Sequence, residues 1–266
     1  MSKTTRTAKI LTALVLAVMV ALAFLPATEN AAAKSGKLKM NKKTITLEAG
    51  QTRQLKVRNS KGKVKWRSAN SKVATVSKGT VKGIKPGKTT ITAKCHGKKA
   101  KCKVYVNGYL SVGKAYKLLN KFRTTPKVWQ WRPGSKSKDY FNKPGATYLE
   151  PLAINAELEK TAKIRAKEIS KRFDHVRPNG EFFFTAFPGN CWYAGENVAC
   201  GQTSAKQVTK LWKESKEKYA GQGHRRNMLE ESFNSVGIAC YMKKGVKFWV
   251  QDFAYIIEPE EDTEEL

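Results

Sequence analysis

Acidic side chains are almost missing from the first third of this chain. Residues 34–106 hold 22 lysines and arginines against a single acid, Glu48. That imbalance excludes a cation-collecting module and gives a surface whose field draws in polyanions. Histidine is scarce as well: His96, His175 and His224 are the only three imidazoles in 266 residues. Beyond one apolar run at residues 10–25, no segment is apolar and long enough to cross a bilayer as a helix. There is no H-E-x-x-H, no G-x-S-x-G, no Walker glycine loop and no C-x-x-C. The spacings that signal metalloprotease, α/β-hydrolase, nucleotide-binding and thiol-redox chemistry are therefore absent.

What is present begins with a leader. Lys3, Arg6 and Lys9 precede the apolar run, and small residues follow it up to Ala31-Ala32-Ala33. This three-part build predicts a secretory signal peptide over residues 1–33, leaving a mature chain outside the cytoplasmic membrane with no transmembrane segment. No cysteine stands where a lipid anchor would need one. The net charge of +30 is uneven, because residues 258–266 carry six acids and no base and read as a disordered acidic tail. Export removes most access to nucleic acid, so none is expected as a partner. The expected partner of the basic stretch is an anionic cell-wall polymer or another anionic surface; a merely solvated face is the alternative. All five cysteines follow the leader, where disulfides persist. Cys95 and Cys102 flank a turn centred near Lys98-Lys99, which predicts a cross-strand disulfide. Cys191, Cys200 and Cys240 leave one thiol over, with three pairings open.

Residues 42–106 alternate apolar and polar in short runs broken by Gly, Asn and Lys turns, the pattern of an antiparallel sandwich. The phrase VKWRSANSKVATVSKGTVKGIKPGKTTITAK is similar to the bacterial immunoglobulin-like domain of group 2, which implies a spacer or adhesion module. Trp66, Val73, Val76, Val81, Ile84 and Ile91 are its expected packing residues, and His96 is an exposed turn residue. A helical period then takes over with Val112, Tyr116, Leu119 and Phe122. Residues 129–146 read as a long connecting loop. A helix is predicted over residues 156–172 behind the N-cap Asn155, with Leu158, Ala162, Ala166, Ile169 and Phe173 inward. A second starts at the Ser204–Gln207 capping box and carries Val208, Leu211, Trp212 and Ser215. Two strands, at residues 236–242 and 247–255, close the domain.

Six motifs run in order through this half: FDHVRPNG, AGENVACG, LWKES, GHRRNML, VGIACY and FWVQDF. Together they resemble the CAP superfamily of cysteine-rich secretory, antigen 5 and pathogenesis-related 1 proteins, and its bacterial members most of all. The resemblance implies an α+β fold: a three-layer α-β-α CAP sandwich at residues 107–257, preceded by an all-β immunoglobulin-like sandwich at residues 34–106. It also implies a cleft holding His175, Glu196 of the G-E-N motif and His224, with Asn227 tying the last turn. The fourth member stays open. Eukaryotic relatives have a glutamate three residues after the helix tryptophan, where this chain has Ser215. Glu214 and Glu217 are the neighbouring carboxylates, and Glu214 is favoured. The ligand cleft is thus expected to comprise His175, Glu196, Asn197, Glu214, Ser215 and His224.

Imidazoles flanked by carboxylates suit three roles. His175 and His224 are ligands for a divalent ion, zinc or otherwise magnesium or calcium. Glu196 and His224 are an acid/base pair for hydrolysis. Alternatively, the tetrad is a self-satisfied polar network that recognises a small ligand. The leading expectation is a secreted or cell-surface protein of a Gram-positive type bacterium whose cleft binds a small ligand or metal and whose basic module acts as spacer or wall-adhesion unit. A metal-dependent extracellular hydrolase is the alternative.

Overall fold

A computed structural model describes residues 36–132 and 135–257. The expected leader (1–33) and acidic tail (258–266) lie outside the described residues. Nine strands come first: β1 (Lys39–Met40), β2 (Thr44–Glu48), β3 (Thr52–Gln54), β4 (Val57–Arg58), β5 (Lys65–Ser68), β6 (Ala74–Ser77), β7 (Thr80–Gly83), β8 (Gly87–Cys95) and β9 (Lys98–Tyr109). One layer is β2-β9-β8-β5, the other β3-β7-β6, and β1 pairs with β4. Alternation decides what is inside: Ile45, Leu47, Val81, Ile91, Cys102, Val104 and Val106 are buried, with Trp66, Val73 and Val76 packed on them. Ile84 is the exception. β7 ends at Gly83, and Ile84 is left 38% exposed.

The β8–β9 hairpin corrects the first disulfide expectation. Its two-residue turn is His96-Gly97, with φ of 44° and 75°, the left-handed pair a tight hairpin needs. Cys95 therefore faces Lys98, and Cys102 faces Ile91. Four rows separate the two thiols along the sheet, about 13 Å, too far to bridge. Both are free and buried.

The C-terminal half contains α1 (Gly113–Arg123), β10 (Trp129–Trp131), β11 (Lys138–Tyr140), β12 (Ala153–Ile154), α2 (Ala156–Ile169), β13 (Cys191–Cys200), α3 (Ala205–Trp212), α4 (Gly223–Leu229), β14 (Ser235–Lys243) and β15 (Val246–Ile256). Its sheet runs β13-β15-β14 with β12 parallel on β14. Ala162, Ala166 and Ile169 of α2 cover one face through Val198, Ala239 and Val250. On the other face, Leu119 of α1, Val208 and Trp212 of α3, and Met228 and Leu229 of α4 pack on Ile238, Cys240 and Trp249. These are the three layers of an α-β-α sandwich.

Caps explain where the helices begin. Asn155 accepts from Glu157 N and Leu158 N, and Ser204 accepts from Gln207 N. The ends differ from expectation. α2 stops at Ile169, so Phe173 lies outside it and is exposed. α3 stops at Trp212, leaving Leu211 exposed and Ser215 off the helix. The expected loop at 129–146 contains the β10–β11 hairpin. The remaining cysteines are all free. Cys200 lines up with Phe248 and Tyr241 on one face of the sheet, whereas Cys240 lines up with Trp249 and Ala199 on the other. Cys191 stands at the opposite end of β13 from Cys200. None of the three pairings has the required geometry.

The two halves share a strand. β9 passes residue 106 and pairs with β14 through Tyr109↔Tyr241 and Gly108↔Met242, giving one eight-stranded sheet. Gly108 has φ 147°, and a Cβ there would sit 2.9 Å from Pro86, so the crossing requires glycine. Glu48 accepts from Asn107 Nδ2 at 2.9 Å and from the Tyr241 hydroxyl at 3.1 Å. Asn107 Oδ1 in turn accepts from Lys244 N at 2.9 Å. Among the described residues no helix is long and apolar enough to cross a membrane.

Candidate functional site

The site grows from one close approach. Gly237 of β14 lies beneath α2, and a Cβ there would stand 2.1 Å from the Leu158 carbonyl, so glycine lets the helix settle onto the sheet. That contact brings Arg165 of α2 against Glu196 of β13. Arg165 Nε and Nη2 grip the two Glu196 oxygens at 2.7 and 3.1 Å, a bidentate fork with both side chains wholly buried. Nη1 reaches Glu168 at 2.6 Å, and Nη2 also donates to the Asp174 carbonyl at 2.9 Å. Burial alone would depress Arg165, but hydrogen bonds and charge from Glu196 and Glu168 outweigh it and raise its pKa. The guanidinium stays charged and fixes both Glu196 and the turn before His175.

His175 follows that turn. Asp174 Oδ1 accepts from Val176 N at 3.0 Å, and Arg177 anchors the next residues on Glu168 at 3.0 Å. His175 Nδ1 then meets Glu196 Oε1 at 2.8 Å, with the ring half exposed and its edge toward Phe183. Opposite Glu196 on β15 is Asp252, fully buried, with no hydrogen-bond partner on either oxygen among the described residues. Burial first, and then the Glu196 charge, push its pKa well above the usual carboxylate range. Of the two carboxyls, Asp252 is thus the one pushed toward its neutral form.

His224 is built by a different loop. After α3, Glu214 takes a left-handed φ of 43°, which turns the chain back toward α4. Its carboxylate makes a short hydrogen bond to His224 Nδ1, and its second oxygen accepts from Arg225 N at 3.2 Å. Buried Gln222 locks the turn, donating to the Glu214 carbonyl at 3.1 Å and accepting from Trp131 N at 2.9 Å. Arg225 closes the rear, with Nε on the Trp129 carbonyl at 2.6 Å; burial lowers its pKa to about 10.

His175, Glu196, Glu214 and His224 line one open cleft of about 420 Å³, with Arg226 and Asn227 at its wall. Asn197 lies behind it, fully buried: it donates to the His224 carbonyl at 3.1 Å and accepts from Asn227 at 2.9 Å. Ser215 is exposed and outside the lining, as is Glu217. Glu196 and His224 are not a contacting pair, since each imidazole has its own carboxylate. A larger hollow of about 470 Å³ beside the β10–β11 hairpin has no imidazole or thiol in its lining. Sequence reasoning misses Arg165 and Gln222. An arginine inside the apolar stripe of α2, between Ala162 and Ala166, is the available signal for the first; nothing marks the second.

Residues 116–253, which are 138 of the 266, match the cysteine-rich secretory protein family, CAP. The chain belongs to the CAP family. Residues 37–104 match the bacterial Ig-like domain, group 2, so this CAP protein carries an immunoglobulin-like module in front. It is 34% identical over 110 residues to the protein YkwD of Bacillus subtilis (strain 168), an alignment that spans about 40% of either chain. Among solved structures it is similar to an outer surface protein from Borrelia burgdorferi, at 15% identity and TM-score 0.41 over 57% of this chain and 99% of that one. It is also similar to NaASP2 with Zn2+, at 22% identity and TM-score 0.40 over 54% of this chain and 78% of that one. In this CAP protein no three His, Cys, Asp or Glu side chains among the described residues form a group able to hold a metal ion. The donor set of the cleft is therefore two imidazoles, with both carboxylates held against their Nδ1 atoms.

Proposed function

We propose that this CAP protein works at the outer surface of a Gram-positive type cell, with the His175–His224 cleft binding a small polar ligand or an exchangeable divalent ion. One observation carries the reading. Each imidazole is held through Nδ1 by a carboxylate of its own, which fixes the tautomer and leaves Nε2 as the ring nitrogen available to a ligand. Two such nitrogens fit an ion whose coordination solvent completes. They do not fit a closed structural zinc site, nor the three protein ligands typical of catalytic zinc. A bound ion would supply positive charge that orients an anionic or carbonyl-bearing ligand. Hydrolysis is the weaker reading, because Glu196 gives both oxygens to Arg165 and His175 and keeps none to draw a proton from water. The immunoglobulin-like module serves as the adhesion unit toward anionic wall material.

Calorimetric titration with zinc, magnesium and calcium tests the cleft. The expected result is weak zinc binding that disappears in both His175→Ala and His224→Ala. Zinc binding that survives in the double variant overturns the proposal. Turnover of a muropeptide pool by the wild type, lost in either variant, would favour the hydrolase instead.

A further inference from the structure

We infer that the outer face of the β5-β8-β9 sheet is a binding surface for a linear polyol-phosphate polymer, held by charge spacing alone. Cross-strand register lays its cations in rows. Lys65, Lys94 and Lys99 stand directly abreast, and the next row on the same face is Arg67, Thr92 and Lys101. Lys103 beside Thr90, and Lys88 beside Tyr105, continue the pattern along the strands. All seven cations are exposed, while the intervening residues Trp66, Ala93, Ala100 and Cys102 face inward. The first two rows, together with Trp66, line a concavity of about 370 Å³.

Like charges placed directly opposite each other on a sheet are destabilising, and this fold keeps three abreast. No compensating acid is at hand. None of these seven cations forms an ion pair among the described residues, and Glu48, the only acid of the module, is turned to Asn107 and Tyr241. The counter-charge has to come from outside. Along β9, Lys99, Lys101 and Lys103 recur at about 6.7 Å, and neighbouring strands are about 4.8 Å apart. Successive phosphates of an extended polyol-phosphate chain are spaced on the same scale. Six of the seven cations are lysines, point charges without the fork that reads a fixed ligand shape. A nucleic acid is disfavoured because base stacking needs open aromatic platforms, whereas Tyr105 already lies under Lys88 and the partly buried Trp66, which also lines the concavity, packs on the sandwich core. A bilayer is disfavoured because the face offers no exposed apolar side chain to enter it.

This inference rests on the extracellular reading above but not on the cleft. The test is binding of the whole protein to a poly(glycerol phosphate) chain across a salt series. With about five contacts, affinity falls about 100-fold between 50 and 200 mM salt. Lys94→Gln/Lys99→Gln/Lys101→Gln lowers the log–log slope by about 2. A control of equal charge loss, Lys163→Gln/Lys206→Gln/Lys210→Gln on the helices, leaves it nearly unchanged, as does His175→Ala/His224→Ala. Equal losses in the two lysine triples overturn the proposal, since binding then follows net charge. Equal affinity for polyglutamate of matched length, or tighter binding to single-stranded DNA or anionic vesicles, overturns the polyol-phosphate assignment.

Discussion

Replacing Asp252 with asparagine tests whether the buried carboxyl opposite Glu196 holds a proton. The carboxyl is fully buried, lacks a hydrogen-bond partner on either oxygen among the described residues and faces Glu196 across the sheet. Its folded pKa is raised well above 3.8, by burial first and by the Glu196 charge second. In the unfolded chain the same group ionises near pH 3.9, about the value of a free aspartate. Between those two pKa values the folded protein binds one more proton than the unfolded one, so stability falls as pH rises. The slope is about 1.4 kcal/mol per pH unit and ends where the folded carboxyl finally ionises. Asparagine has nearly the same shape and no proton to release. Urea unfolding of the wild type and Asp252→Asn at several values from about pH 4 upward should give two lines that diverge until the folded carboxyl ionises, with the variant gaining about 1.4 kcal/mol per unit relative to the wild type. Parallel lines would refute the reasoning: Asp252 would then be ionised in the fold, with Arg165 balancing both carboxylates.

Two further outcomes follow from the same contacts. Arg165→Met strands Glu196 in the interior and should lower stability by about 3 to 5 kcal/mol, seen as a drop in urea midpoint; a loss under about 1 kcal/mol would mean the fork does not hold the site. Tyr241 is pushed up to about 12 by burial and, beyond that, by its hydrogen bond to Glu48, so ultraviolet difference titration of Glu48→Gln should bring one tyrosine partway back toward 10.0. An unchanged titration would remove Glu48 as a cause.

Periodicity makes the strands of the N-terminal module and both long helices of the second half legible before any coordinates, because one face of each is apolar. The motif order makes the CAP fold legible as well. β13 is not, since Cys191–Cys200 mixes glycine, a buried Glu196 and exposed Trp192 and Tyr193 without alternation. The position of Glu214 depends on a left-handed backbone just beyond α3, which helical spacing cannot convey. The cysteines mislead for a related reason: the hairpin register is set by His96-Gly97, two residues earlier than symmetry about the thiols suggests. Arg165 is visible only as a charge out of place. Its role appears when Gly237 lets α2 touch the sheet.

Chains of this kind are often pictured as beads that recombination can restring at will. The strand that leaves the basic sandwich at Val106 and enters the second sheet at Gly108 argues against that picture here. Cutting between them would leave the Tyr241 edge of β14 without its neighbour and strip Glu48 of both its hydrogen-bond donors. The seam is thus a shared beam, and a transplant of either piece has to carry the other's edge with it.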